Sequence, residues 1–96
     1  MEKRVIVSKR FRRNTLALYD YLIKEHSATT AYHFLDALQH RVEFISQHPE
    51  AGKPSQKKVG IRSIPLLPHN RIYYRINEGT IELLCLFDMR RKNRPY

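Results

Sequence analysis

The chain has 96 residues, of which 42% are apolar and 28% charged, so it holds one small core and carries too many apolar side chains for a disordered segment. Eighteen Lys and Arg against nine Asp and Glu give a formal net charge of +9, which favours a polyanion or an acidic protein as partner. A lone cysteine, Cys85, excludes an internal disulfide framework and a multi-cysteine zinc site, and no apolar run reaches the roughly 18 residues of a membrane span.

The opening MEKRVIVSKR lacks the apolar stretch of a secretory signal, so a single soluble, cytoplasmic domain over 1–96 is expected. Val5-Ile6-Val7 reads as a short strand, and Ser8 is placed to cap a helix. Phe11, Thr15, Leu18 and Leu22 then recur at spacings of four, three and four, with Tyr19 and Ile23 widening the stripe, which predicts a helix over 9–25. Ser27 to Thr30 breaks the pattern and supplies new caps. A second helix with Ala31, Phe34, Leu35, Leu38, Val42 and Ile45 on one face should end before Pro49, because the residue preceding proline avoids the helical region.

The segment HPEAGKPSQKKVG (48–60) has two prolines, two glycines and no periodicity, and reads as a loop. Ile61 to Ile64 is a strand that Pro65 and Pro68 force to bend or to lie at an edge. From Arg71 to Ile76 the chain alternates, with Ile72, Tyr74 and Ile76 on one side and Arg71, Tyr73 and Arg75 on the other. Asn77-Glu78-Gly79 suits a tight hairpin, and Thr80 to Met89 is apolar at nearly every position, as a central strand is. The predicted fold is α+β: an N-terminal strand and a two-helix antiparallel hairpin on a largely antiparallel four-stranded sheet, in the order β-α-α-β-β-β.

The five histidines offer no metal-ligand spacing; His33 and His40 on the second helix are about 10 Å apart, too far to share an ion. Cys85 lies in the most apolar strand and reads as a buried, inert thiol. No phosphate-binding glycine loop and no nucleophile elbow occurs, and no cofactor or metal is expected. What remains is a basic and aromatic set. Six cations precede Asn14 (Lys3, Arg4, Lys9, Arg10, Arg12, Arg13), and Arg90, Arg91, Lys92 and Arg94 fall in the last seven residues. Arg71, Tyr73 and Arg75 share a strand face that Arg62 can join from the preceding strand, and Tyr96 follows the last cations. Guanidinium forks and tyrosine rings suit phosphates and unpaired bases, and they equally suit a solvated sheet face.

In order along the chain, the HPEAG turn, GIRSI, NRIYYRI and the closing LFDMRRKNRPY resemble the RelE/ParE superfamily of toxins from type II toxin–antitoxin pairs. The resemblance spans nearly the whole chain and implies growth inhibition, with an acidic antitoxin as partner. It divides on the target. RelE-like members cleave mRNA in the ribosomal decoding site without a metal, and in that reading Arg62, Arg71, Arg90 and Tyr96 match the family's catalytic positions. Ile64, however, stands where a second strand lysine is expected, and a guanidinium at Arg62 is a poor proton donor or acceptor; Lys57 or Lys58 could substitute from the loop. ParE-like members instead inhibit DNA gyrase and cleave no RNA. Two long helices before the Pro49-to-Gly52 turn resemble that branch, in which the C-terminal basic stretch Arg90, Arg91, Lys92 and Arg94 is the expected contact surface; Tyr73 and Arg75, from the strand set, are further candidates for target or nucleic-acid contact. A third possibility is a basic nucleic-acid-binding module without enzymatic or toxic action.

Overall fold

The computed structural model describes residues 3–96. Strand β1 (Arg4–Val7) leads into helices α1 (Lys9–Glu25) and α2 (Ala28–Gln47). A 3-10 turn at Pro49–Ala51 precedes β2 (Lys53–Pro54), β3 (Ile61–Leu67), β4 (Asn70–Asn77) and β5 (Thr80–Asp88). One sheet holds all the strands in the order β1-β5-β4-β3-β2, with β1 parallel to β5 and every other pair antiparallel. The α+β architecture and the helical hairpin match the expectation; the sheet has five strands rather than four. The additional one is β2, two residues of the presumed loop that pair with Ser63 and Arg62. A Lys-Pro pair has no alternation to detect, and its extended form comes from the β3 edge beside it.

Local chemistry explains where the helices begin and end. Ser8 Oγ accepts from Phe11 N at 3.0 Å, and Ser27 Oγ accepts from Thr30 N at 3.1 Å, each an N-cap. α2 stops at Gln47, with His48 N donating to Phe44 O just before Pro49. Between the hairpin and the sheet, Phe11, Leu22, Ala31, Phe34 and Ile45 pack against Ile64, Leu66, Ile72, Tyr74, Ile81, Leu83 and Leu86. The apolar stripes are narrower than expected. Ile23 and Leu35 remain 39% and 38% exposed, because each lies about 100° around its helix from the buried Leu22 or Phe34.

The continuous apolar run in β5 has a specific cause. Tyr73 pairs with Cys85 but Tyr74 pairs with Leu83, so Leu84 is an extra residue, a bulge. It reverses the alternation. Ile81 and Leu83 before the bulge and Leu86 after it face the helices, whereas Leu84, Cys85 and Phe87 join Ile61 and Tyr73 in a second cluster on the open face. Past Ser63, β3 has no partner on its outer side, since β2 covers only Arg62 and Ser63; Pro65, lacking an N–H, stands on that open edge.

β1 ends opposite Leu83, and α1 takes over the edge of β5 beyond it. Ser8 N donates to Leu83 O, Ser8 Oγ donates to Leu84 O at 2.8 Å, and Asn14 Oδ1 accepts from Leu86 N at 3.1 Å. Asn14→Ala leaves the Leu86 N–H without that acceptor and should lower the unfolding free energy by about 1–3 kcal/mol. Urea unfolding reads this directly, and an unchanged midpoint would show that water replaces the amide.

Candidate functional site

The open face of the sheet is built on β4. Arg71 stands between Phe87 of β5 and Pro65 of β3, Tyr73 between Cys85 and Ser63, and Arg75 between Glu82 and Ile61. Arg62 does not join them. It pairs with Tyr74 and therefore points to the helical side, where its Nη1 donates to Gly52 O at 2.9 Å and Glu50 O at 3.2 Å. The residue that meets Arg71 is Ser63, whose Oγ accepts from Arg71 Nε at 3.0 Å and whose carbonyl accepts from Nη2 at 3.2 Å. One residue of register decides this exchange.

Beyond β5 the chain folds back across the open face. Met89 N donates to His69 O, and Tyr73 Oη lies 3.9 Å from Met89 Sδ as a weak donor. The Tyr96 ring sits 5.6 Å from that of Tyr73, and Lys57 Nζ donates to Arg94 O at 3.0 Å. The tail, β2 and the following loop thus enclose a shallow cavity of about 190 Å³. Its wall includes Lys53, Ser55, Lys57, Ser63, Arg71, Tyr73, Met89, Arg94 and Tyr96 and, among the described residues, no Asp, Glu or His.

Of the four residues matched to a nuclease, only Arg71 and Tyr96 share this cavity. Arg90 lies at the end of β5, its Nε and Nη2 donating to the two Asp88 carboxylate oxygens at 3.0 and 2.7 Å. Among the other candidate contacts, Arg75 is 3.7 Å from Glu82, Arg91 lies 5.9 Å over the Phe87 ring, and Lys92 is exposed. Sequence reasoning missed Ser63, Lys53 and Met89. The alternation of Ile61 to Ile64 contains the signal for Ser63; nothing local to Lys53 or Met89 carries one.

Four of the described groups titrate away from their ordinary values, among them Arg90, which its hydrogen bond to Asp88 raises. Burial pushes the Tyr74 hydroxyl up, partly opposed by the Gly52 N–H and by Arg62. Burial likewise raises the Cys85 thiol, with Arg10 opposing it. The Arg90 guanidinium, by hydrogen bonding to Asp88, holds that carboxyl at about 2, below its ordinary 3.8. The folded value is depressed, so the pair stabilises the fold above the unfolded value and loses that contribution as pH falls through about 2. A carboxyl-carbon NMR titration should therefore place Asp88 near 2, and Arg90→Ala should return it toward 3.8.

The model of the family described as ParE toxin of type II toxin-antitoxin system, parDE, matches residues 5–93, from β1 into the tail. The chain belongs to this ParE toxin family. It is the toxin of a type II toxin–antitoxin system. No curated protein matches it in sequence at a significant level. In fold, this ParE-family toxin is similar to a chain of the chromosomal ParDE system from P. aeruginosa, with a TM-score of 0.78 at 18% identity over 91% of this chain and 96% of that one. It is also similar to chains of two other toxin–antitoxin complexes. RelBE2 from Mycobacterium tuberculosis gives a TM-score of 0.64 at 17% identity, covering 92% and 99%. DinJ–YafQ from E. coli gives 0.65 at 10% identity, covering 92% and 93%.

Proposed function

We propose that this toxin, restrained by a cognate acidic antitoxin, arrests growth by acting on DNA gyrase and not by cleaving mRNA. The observation that carries this reading is the dispersal of the nuclease-like set. Arg62 is held by two backbone carbonyls on the helical side, Arg90 is engaged with Asp88, and only Arg71 and Tyr96 share the cavity. Ile64, in place of a strand lysine, is buried in the core. Among the described residues, no Asp, Glu or His side chain lines the cavity to take a proton near neutral pH, and the Lys57 ammonium is engaged with Arg94 O. The match to the ParE family model over 5–93 supports the same branch.

The antitoxin is supported by the solved relatives, which come from ParDE, RelBE2 and DinJ–YafQ systems. Exposed Leu16, Ile23, Tyr32 and Leu35 on the hairpin, with exposed Lys9, Arg10, Arg12 and Arg13 at its start, suit an acidic amphipathic segment. Inducible expression in bacteria, with an SOS reporter read beside mapped mRNA 5′ ends, tests the target. SOS induction with intact mRNA is expected. New 5′ ends within translated codons and a silent reporter would overturn the gyrase reading in favour of ribosome-dependent cleavage. Neither signal, with normal growth, would leave a basic binding module.

A further inference from the structure

A row of cations crosses the open face of the sheet. Arg91 covers Phe87, Arg71 stands opposite Phe87 on β4, and Arg94, Lys57 and Lys53 follow across β3 and β2. With strands roughly 4.8 Å apart, the row crosses about 15 Å from β5 to β2. One strand of duplex DNA presents four or five phosphates over about that length. The carboxylates nearby are occupied elsewhere: Glu82 with Arg75, and Asp88 with Arg90. Among the described residues, none of these five cations has a carboxylate ion pair.

The lining chemistry separates this face from a protein-docking surface. Its polar side chains are the cations, the Gln56 amide and the hydroxyls of Ser55, Ser63, Tyr73 and Tyr96, and Arg71 is held by Ser63 with three of its five N–H donors left over. A planar fork fixed in this way fits phosphate oxygens two at a time. The exposed apolar side chains that an antitoxin segment needs lie on the helical hairpin instead.

We propose that the open face binds the phosphodiester backbone of DNA without cleaving it, through Lys53, Lys57, Arg71, Arg91 and Arg94. The choice of DNA over RNA rests on the gyrase reading, because DNA is what gyrase acts on.

The full chain, made by cell-free synthesis, is titrated against a fluorescent duplex of about 20 base pairs at several salt concentrations, with anisotropy as the readout. Affinity should fall with salt with a log–log slope of about −4. Arg91→Ala and Arg94→Ala, both at exposed positions outside the helix–sheet core, should each weaken binding by about three- to tenfold and flatten the slope by about one. Lys24→Ala, at the far end of α1, should leave both unchanged. Absence of binding at the lowest salt, equal losses in Lys24→Ala, or tighter binding of a polyglutamate peptide than of DNA would each overturn the proposal. Tenfold tighter binding of the same sequence as single-stranded RNA would overturn the choice of DNA. A silent SOS reporter with duplex binding and its variant pattern intact would remove the gyrase reading and leave the DNA contact standing; an induced reporter without duplex binding would do the reverse.

Discussion

Replacing Gly52 by alanine should lower the unfolding free energy by about 2–4 kcal/mol, a large share of the ~5–15 kcal/mol typical of a domain. The backbone is not the reason, since Gly52 has φ −70° and ψ 152°, open to any residue. Space is the reason: an added Cβ would stand 2.3 Å from Tyr74 Oη and 2.9 Å from the Cε1 and Cζ atoms of that ring. Tyr74 has nowhere to go. Its side chain is fully buried in the helix–sheet core, and its hydroxyl donates to Pro49 O at 2.7 Å while accepting from Gly52 N at 3.0 Å. Alanine must therefore displace a packed ring and break these bonds together. Tyr74→Phe removes the hydroxyl alone and should cost about 1–3 kcal/mol, because Pro49 O and Gly52 N lose their buried partner. The double variant should be more stable than the two losses predict, since Phe removes the atom nearest the new methyl. Urea unfolding of the three variants measures this, and a Gly52→Ala loss under about 0.5 kcal/mol would show that the turn moves freely.

That turn also holds Arg62. Tyr74 and Arg62 are neighbours across β3 and β4, and both bind the Pro49–Gly52 backbone from the helical side. Arg62 thus fastens the end of α2 to the sheet. Its position in the GIRSI strand is legible from sequence, but its face depends on the β3–β4 register, which the irregular pairing between Pro65 and Leu67 helps to set. Features with a local cause were readable: Ser8 and Ser27 as caps, Pro49 as the stop, and the alternation of Arg71 to Ile76. Gly79, with φ +76°, closes the β4–β5 hairpin where a glycine was expected. Features set by distant partners were not. β2 is extended because β3 lies beside it, and Leu84 bulges because β5 must bury apolar side chains on both faces. The tail reaches the cavity because Tyr96 and Met89 cover an apolar cluster that no helix shields.

Arg71→Ala is expected to raise the inducer concentration needed for growth arrest by about tenfold or more, in line with the ~2–5 kcal/mol that truncating one partner of a desolvated, hydrogen-bonded charge contact costs. Arg71 is where the proposed functions overlap: it is the cavity guanidinium that Ser63 fixes, with Tyr73 and Tyr96 in the same wall, under either target. Two of its N–H groups are held by Ser63, so the remainder point in a fixed direction and need little further ordering on binding. Arg71→Lys keeps the charge and loses the fork, and should fall between the parent and the alanine variant. Ser63→Ala removes the hydroxyl that accepts from Nε but leaves its carbonyl, so it should loosen Arg71 and weaken arrest less than Arg71→Ala does. Thermal unfolding separates loss of action from loss of fold, because Arg71 lies outside the helix–sheet core. Arrest by Arg71→Ala at the parent's inducer concentration, with matched protein levels, would remove the cavity from the mechanism and direct attention to the helical side.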